Sequence, residues 1–164
     1  MDTTQQIMEA ATSGDATKVQ ELLATNESLV NSYGDNGWTP LHLAAYFGHT
    51  HAAQILLHSG ADLHARSKNT LDNMPLHAAV AGQRQDVVEM LLAGGADVNA
   101  AQEGSWTPLH EAADHGDLAM VKLLIAHGAG INARKDDGET ARSLAARKGF
   151  RDVADYLRAL GAAE

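Results

Sequence analysis

Apolar residues along this chain come in adjacent pairs set into polar stretches, and the pairs recur with a long, regular period. Leu22-Leu23, Leu56-Leu57, Leu91-Leu92 and Leu123-Leu124 form one series. Ala10-Ala11, Ala44-Ala45, Ala112-Ala113 and Ala145-Ala146 form a second, in step with the first. Glycines punctuate both: Gly14, Gly48, Gly116 and Gly149 follow the alanine pairs, while Gly60, Gly95, Gly128 and Gly161 close the leucine stretches. A short apolar-faced stretch ended by glycine reads as a helix stopped in the left-handed conformation that glycine tolerates. The pattern therefore predicts pairs of short helices joined by tight turns, each pair followed by an extended finger. Short helices are predicted at about 40–47, 75–82, 108–115 and 141–148, and their partners at about 50–58, 84–93, 118–126 and 150–159. The leucine pairs should face the interior, and the alanine pairs should let neighbouring helices approach closely.

Two further markers fix the period. Trp38-Thr39-Pro40-Leu41-His42 recurs as Trp106-Thr107-Pro108-Leu109-His110, with Met74-Pro75-Leu76-His77 between them. The three prolines are 35 and then 33 residues apart. Gly60-Ala61-Asp62-Leu63, Gly95-Ala96-Asp97-Val98-Asn99 and Gly128-Ala129-Gly130-Ile131-Asn132 keep the same register. Thr39 and Thr107 stand where an N-cap oxygen is needed, and each proline falls at N1, where a missing N–H costs nothing. Asp15, Asp86 and Asp117 read as carboxylates placed on the positive ends of the second helices.

One repeat departs from this pattern. Met74 replaces the threonine and two extra residues precede Pro75, so Asp72 or Asn73 must cap the helix or the cap is lost, at about 1 kcal/mol. Gly82 also falls one place early, leaving Gln83 where the turn glycine belongs. A non-glycine residue in the left-handed region costs about 1–2 kcal/mol, unless the turn shifts onto Gly82. The third repeat is thus the expected weak point.

The Thr-Pro-Leu-His series and the Gly-Ala-Asp series resemble the ankyrin-repeat family over nearly the whole chain. The resemblance implies an all-α solenoid of stacked helix-turn-helix units with finger loops. It divides residues 1–164, read as a single domain, into repeats at about 1–36, 37–71, 72–104, 105–137 and 138–164. The first and last lack the full signature, as end repeats do, so a complete array is expected. The resemblance also assigns His42, His77 and His110 a structural role, tying finger backbone to helix.

Composition narrows the function. Apolar residues make up 45% of the chain and aromatics only 4%, consistent with helices packed through small side chains. The net charge of −9 repels phosphate backbones, so nucleic acid is not an expected partner. There is no cysteine, and no run reaches the 18 or so apolar residues of a membrane span. A monomeric cytoplasmic protein without cofactor is expected. Asp114-His115 does not form a catalytic dyad, because adjacent helix positions point about 100° apart. Ser143 lacks a nucleophile-elbow context, no phosphate-binding glycine loop is present, and the nine histidines lack the spacing of a zinc site. No enzyme activity and no metal are expected.

The remaining reading is a protein-binding module: adaptor, accessory subunit or inhibitor. An engineered or purely structural scaffold, and a metal- or pH-responsive binder using the extra histidines, are the alternatives. Carried over from the family, the partner-binding row lies just before each turn glycine: Thr12-Ser13, Tyr46-Phe47, Ala81-Gly82, Asp114-His115 and Arg147-Lys148. Finger positions Trp38, Asn73, Trp106 and Glu139 join it, as do Arg66, Ala101 and Arg134. Tyr46 and Phe47 beside small Ala81 and Gly82 suggest exposed aromatics next to a shallow pocket. The row changes from apolar to acidic to basic along the sequence.

Overall fold

The computed structural model describes all residues, 1–164. It contains ten α-helices and no strand: α1 (Thr3–Ser13), α2 (Ala16–Thr25), α3 (Pro40–Phe47), α4 (Thr50–His58), α5 (Pro75–Ala81), α6 (Gln85–Ala93), α7 (Pro108–Asp114), α8 (Leu118–Ala126), α9 (Ala141–Lys148) and α10 (Arg151–Ala159). The predicted helices are all present, within a residue at each end. The chain divides into two compact units, Met1–Ala96 and Asp97–Glu164.

In the first unit, α1 packs on α3 and α3 on α5, while α2 packs on α4 and α4 on α6. In the second, α7 packs on α9 and α8 on α10. Within each unit the odd and even helices thus form separate layers. The alanine pairs lie buried between neighbouring short helices, at Ala44 and Ala45 and again at Ala112 and Ala113. Of each leucine pair, Leu56, Leu91 and Leu124 are fully buried, while Leu57, Leu92 and Leu123 are half-buried. No repeat buries these faces alone, so each depends on its neighbour.

The caps follow the sequence. Thr39 and Thr107 accept from the backbone of His42 and His110, and Asp15 and Asp117 cap α2 and α8. Asp86 lies in the first turn of α6. Each finger closes as a narrow hairpin. Gly34 N–H donates to Trp38 O, Gln102 to Trp106 and Lys135 to Glu139, each across four residues.

The third repeat resolves its anomalies by packing. Its hairpin runs from Ser67 N–H to Asn73 O, so both extra residues are absorbed at the fingertip, with Asp72 at φ 47°. Neither Asp72 nor Asn73 caps α5. Met74 occupies the cap position without a side-chain bond to the helix, and only the reciprocal half survives, Met74 N–H donating to His77 Nδ1 at 3.0 Å. The turn does not shift to Gly82, which is right-handed at φ −77°, and Gln83 takes the left-handed conformation at φ 57°. Gly82 is needed for a different reason. A Cβ there would overlap the carbonyl oxygen of Tyr46 and stand 3.0 Å from its carbon.

Asparagines tie successive repeats together. Asn31 donates to Gly60 O and accepts from Asp62 N–H. Asn99 does the same with Gly128 and Gly130, and Asn132 accepts from Ala163 N–H. The corresponding residue of the second repeat is His64, whose side chain makes no such bond.

Candidate functional site

In the first unit, α3 and the finger before it carry a run of rings. Trp38 lies 5.8 Å from His42 and 5.5 Å from Tyr46. Tyr46 meets Phe47 edge-on at 5.1 Å, and Phe47 stacks on His49 at 6.3 Å. Tyr46 and Phe47 remain 36% and 38% exposed. Side chains of the next turn and the next repeat make bonds around them. Arg84 Nε donates to Tyr46 O at 3.1 Å, and His49 Nε2 bonds Thr12 O at 2.9 Å. A Cβ on Gly82 would point into the Tyr46 carbonyl, and Ala81 is half-buried.

The other sequence-selected residues of this unit divide. Trp38 is half-buried, and its indole Nε1 is buried with no acceptor. Asn73 is not a surface residue. It is 3% exposed, because its carbonyl accepts from His42 Nε2 at 2.9 Å and its N–H donates to Ser67 Oγ. Arg66 folds back on the fingertip, with its guanidinium on Asp72 O at 2.9 Å and on the Asp72 carboxylate at 3.7 Å.

The histidines of the repeated motif are structural. His42 is fully buried and lies between Thr39 and Asn73, and burial pulls its pKa down to about 4 against the opposing bond to Asn73. His110 bonds Ala133 O at 3.1 Å and is lowered by burial likewise. No group of three or more His, Asp or Glu side chains stands close enough to hold a metal ion.

In the second unit the charged positions are engaged with one another. Asp114 pairs with Lys148 at 2.8 Å. His115 bonds Glu111 O at 2.9 Å and lies 3.6 Å from its carboxylate, whose pKa burial pushes up. Arg147 grips Glu139 with two nitrogens, at 2.7 and 3.1 Å, and the buried Lys135 adds a third bond at 3.0 Å. These hydrogen bonds, those of Arg147 first, hold Glu139 down at about 2. Lys135 also lies 4.4 Å over the Trp106 ring, and Arg134 donates to Gly138 O at 2.7 Å. Ala101 is exposed. The acidic and basic parts of the row are thus largely each other's partners.

Sequence reasoning missed the residues that begin the second helices. His49, Arg84 and Phe150 leave their helices without a side-chain cap. They lie instead over the turn glycines of the preceding repeat: His49 over Gly14, Arg84 over Gly48 and Phe150 over Gly116. The available signal was a bulky residue where Asp15 and Asp117 stand in the other repeats.

Residues 7–102 and 96–163 match the family described as ankyrin repeats (three copies). Among curated proteins, the chain is 33% identical over 145 residues to a transient receptor potential cation channel subfamily A member 1 homolog of Caenorhabditis elegans, covering 88% of this chain and 12% of that one. It is 40% identical over 96 residues to the neurogenic locus Notch protein of Drosophila melanogaster, covering 58% and 4%. It is 35% identical over 115 residues to the nuclear factor NF-kappa-B p105 subunit of Gallus gallus, covering 68% and 11%. The chain therefore spans only a small part of the length of these relatives. With the repeat geometry and the matched residues together, the chain belongs to the ankyrin-repeat family.

Proposed function

We propose that this chain is a non-catalytic binding module for another protein, acting as an adaptor, accessory subunit or inhibitor, and that Tyr46 and Phe47 form the centre of its contact face. Ankyrin repeats are in general protein–protein interaction modules. The observation that carries the reading is the exposure of these two adjacent aromatics, with the Tyr46 carbonyl held by Arg84. Rigid, exposed aromatic rings are the side chains that dominate binding energy, because they bury much area at little entropic cost. A partner of ordinary size would cover about 800 Å² here.

The test is capture from a lysate of the source organism, comparing the natural chain with a Tyr46→Ala, Phe47→Ala double variant of unchanged circular dichroism. Loss of a captured protein with the variant supports the face. Equal retention removes Tyr46 and Phe47 from it, and the Asp114, Glu139, Arg147 and Lys148 surface of the second unit is then next to mutate.

A further inference from the structure

We propose that the partner docks on this face through a basic segment, an arginine of which enters the cleft between α1 and the first finger. The proposal rests on the protein-binding reading above and specifies the chemistry of the partner. The cleft has a volume of about 360 Å³. Met8 and the buried Leu43 give it apolar walls, and Asp2, Glu9 and Asp35 stand around it. Two of its lining residues, Thr12 and Leu43, connect it to the aromatic run. Thr12, on its edge, accepts the bond from His49, and His49 stacks on Phe47. Leu43 sits one helical turn before Phe47 on α3.

The carboxylates select the occupant. Glu9 and Asp35 are exposed and take part in no ion pair or side-chain hydrogen bond, and Asp2 uses a single oxygen to cap α1. The first 36 residues hold six carboxylates and one lysine, and that Lys18 is paired with Glu21 on α2. On the next finger, Lys68 lies 4.0 Å over the Tyr33 ring. The contrast with the second unit is direct, because there Asp114 and Glu139 already have Lys148 and Arg147. An arginine satisfies each part of this surface. Its methylene stem covers Met8 and Leu43. Its guanidinium meets Glu9 or Asp35 in paired hydrogen bonds. A neighbouring cation of the same segment lies over the faces of Tyr46 or Phe47. A neutral or acidic segment leaves the carboxylates unmatched or repelled.

The test uses the full chain, isotopically labelled, titrated with three capped hexapeptides that differ only in carrying two arginines, two glutamines or two glutamates. The arginine peptide is expected to shift the amides of Met8, Thr12 and Asp35 and the ring signals of Phe47. The Glu9→Gln, Asp35→Asn double variant, with unchanged circular dichroism and melting temperature, should weaken that binding at least tenfold. So should raising salt from about 20 to about 300 mM. The proposal is overturned if the glutamine peptide binds as well, if the double variant binds unchanged, or if no shift appears at about 10 mM peptide. It fails separately from the broader reading. A natural partner lost with Tyr46→Ala, Phe47→Ala but retained by Glu9→Gln, Asp35→Asn leaves the protein-binding face standing and rejects the basic occupant.

Discussion

Gly82→Ala reverses the usual sign of a glycine-to-alanine change. Gly82 has ordinary right-handed angles, φ −77° and ψ −4°. At such a position alanine normally stabilises by about 0.4–1 kcal/mol, by reducing the freedom of the unfolded chain. Here the new methyl group would overlap the Tyr46 carbonyl oxygen. Both partners are backbone, so no side-chain rotation relieves the overlap, and α5 must move away from α3. The overpacking costs about 1–3 kcal/mol. Displacing the carbonyl also weakens its bond to Arg84 Nε, worth about 1 kcal/mol. The net expectation is a loss of about 2 kcal/mol. The neighbouring change, Gln83→Gly, should instead gain about 1 kcal/mol by relieving the left-handed glutamine at φ 57°. Equilibrium urea unfolding followed by far-ultraviolet circular dichroism measures both. With a slope of about 2 kcal/mol/M, the midpoint should fall by about 1 M for Gly82→Ala and rise by about half that for Gln83→Gly. A neutral or stabilising Gly82→Ala would refute the close-approach argument, whatever Gln83→Gly does.

Four further outcomes are expected. His42 stays neutral in the fold down to about pH 4, whereas the unfolded chain protonates it near 6.5, so its contribution is complete above pH 6.5 and is lost as pH falls to 4. That is about 3 kcal/mol of stability, and carbon chemical shifts of the His42 ring should remain those of neutral imidazole at about pH 5. Glu139→Gln removes the charge behind the Arg147 and Lys135 bonds and, for so exposed a pair, should cost no more than about 1 kcal/mol in thermal unfolding at neutral pH; the natural chain should lose the same contribution as pH drops from 4.5 towards 2. His64→Asn should restore the asparagine tie at the Gly95 turn and stabilise by about 1 kcal/mol, read as slower amide exchange in α5 and α6. Tyr46→Ala with Phe47→Ala should change folding stability by under about 2 kcal/mol, since both rings are over a third exposed, while abolishing partner capture.

The helices were legible because their signals are local. The Thr-Pro pair fixes where α3 and α7 start, a glycine fixes where α3 and α9 stop, and the leucine spacing fixes which side is buried. The third repeat was legible as an anomaly but not in its resolution. Whether Gly82 or Gln83 makes the turn depends on how closely α5 approaches Tyr46, a distance across repeats that no local pattern encodes. The same limit hid the ion pairs. Asp114 and Lys148 are far apart in the chain, so the sequence offered an acidic and a basic patch where the fold makes a 2.8 Å contact. Asn73 was misplaced because a finger residue reads as exposed until its carbonyl is seen to hold the buried His42. Tyr46 and Phe47, placed by the family resemblance, are 36% and 38% exposed.

The joint between the second and third repeats is fastened unevenly, which gives its flexing a direction. Along one edge, α3 and α5 touch backbone to backbone at Tyr46 and Gly82. Along the other, α4 and α6 meet sparsely, and His64 supplies no stitch to the Gly95 turn. A joint tight along one edge and loose along the other opens like a book, with its spine on the tight edge. Thermal bending should then be taken up by the α4 and α6 side, while the Tyr46 and Phe47 rings, lying beside the spine, hardly move. The chain keeps its compliance at the back of the fold and its rigidity at the face proposed for a partner.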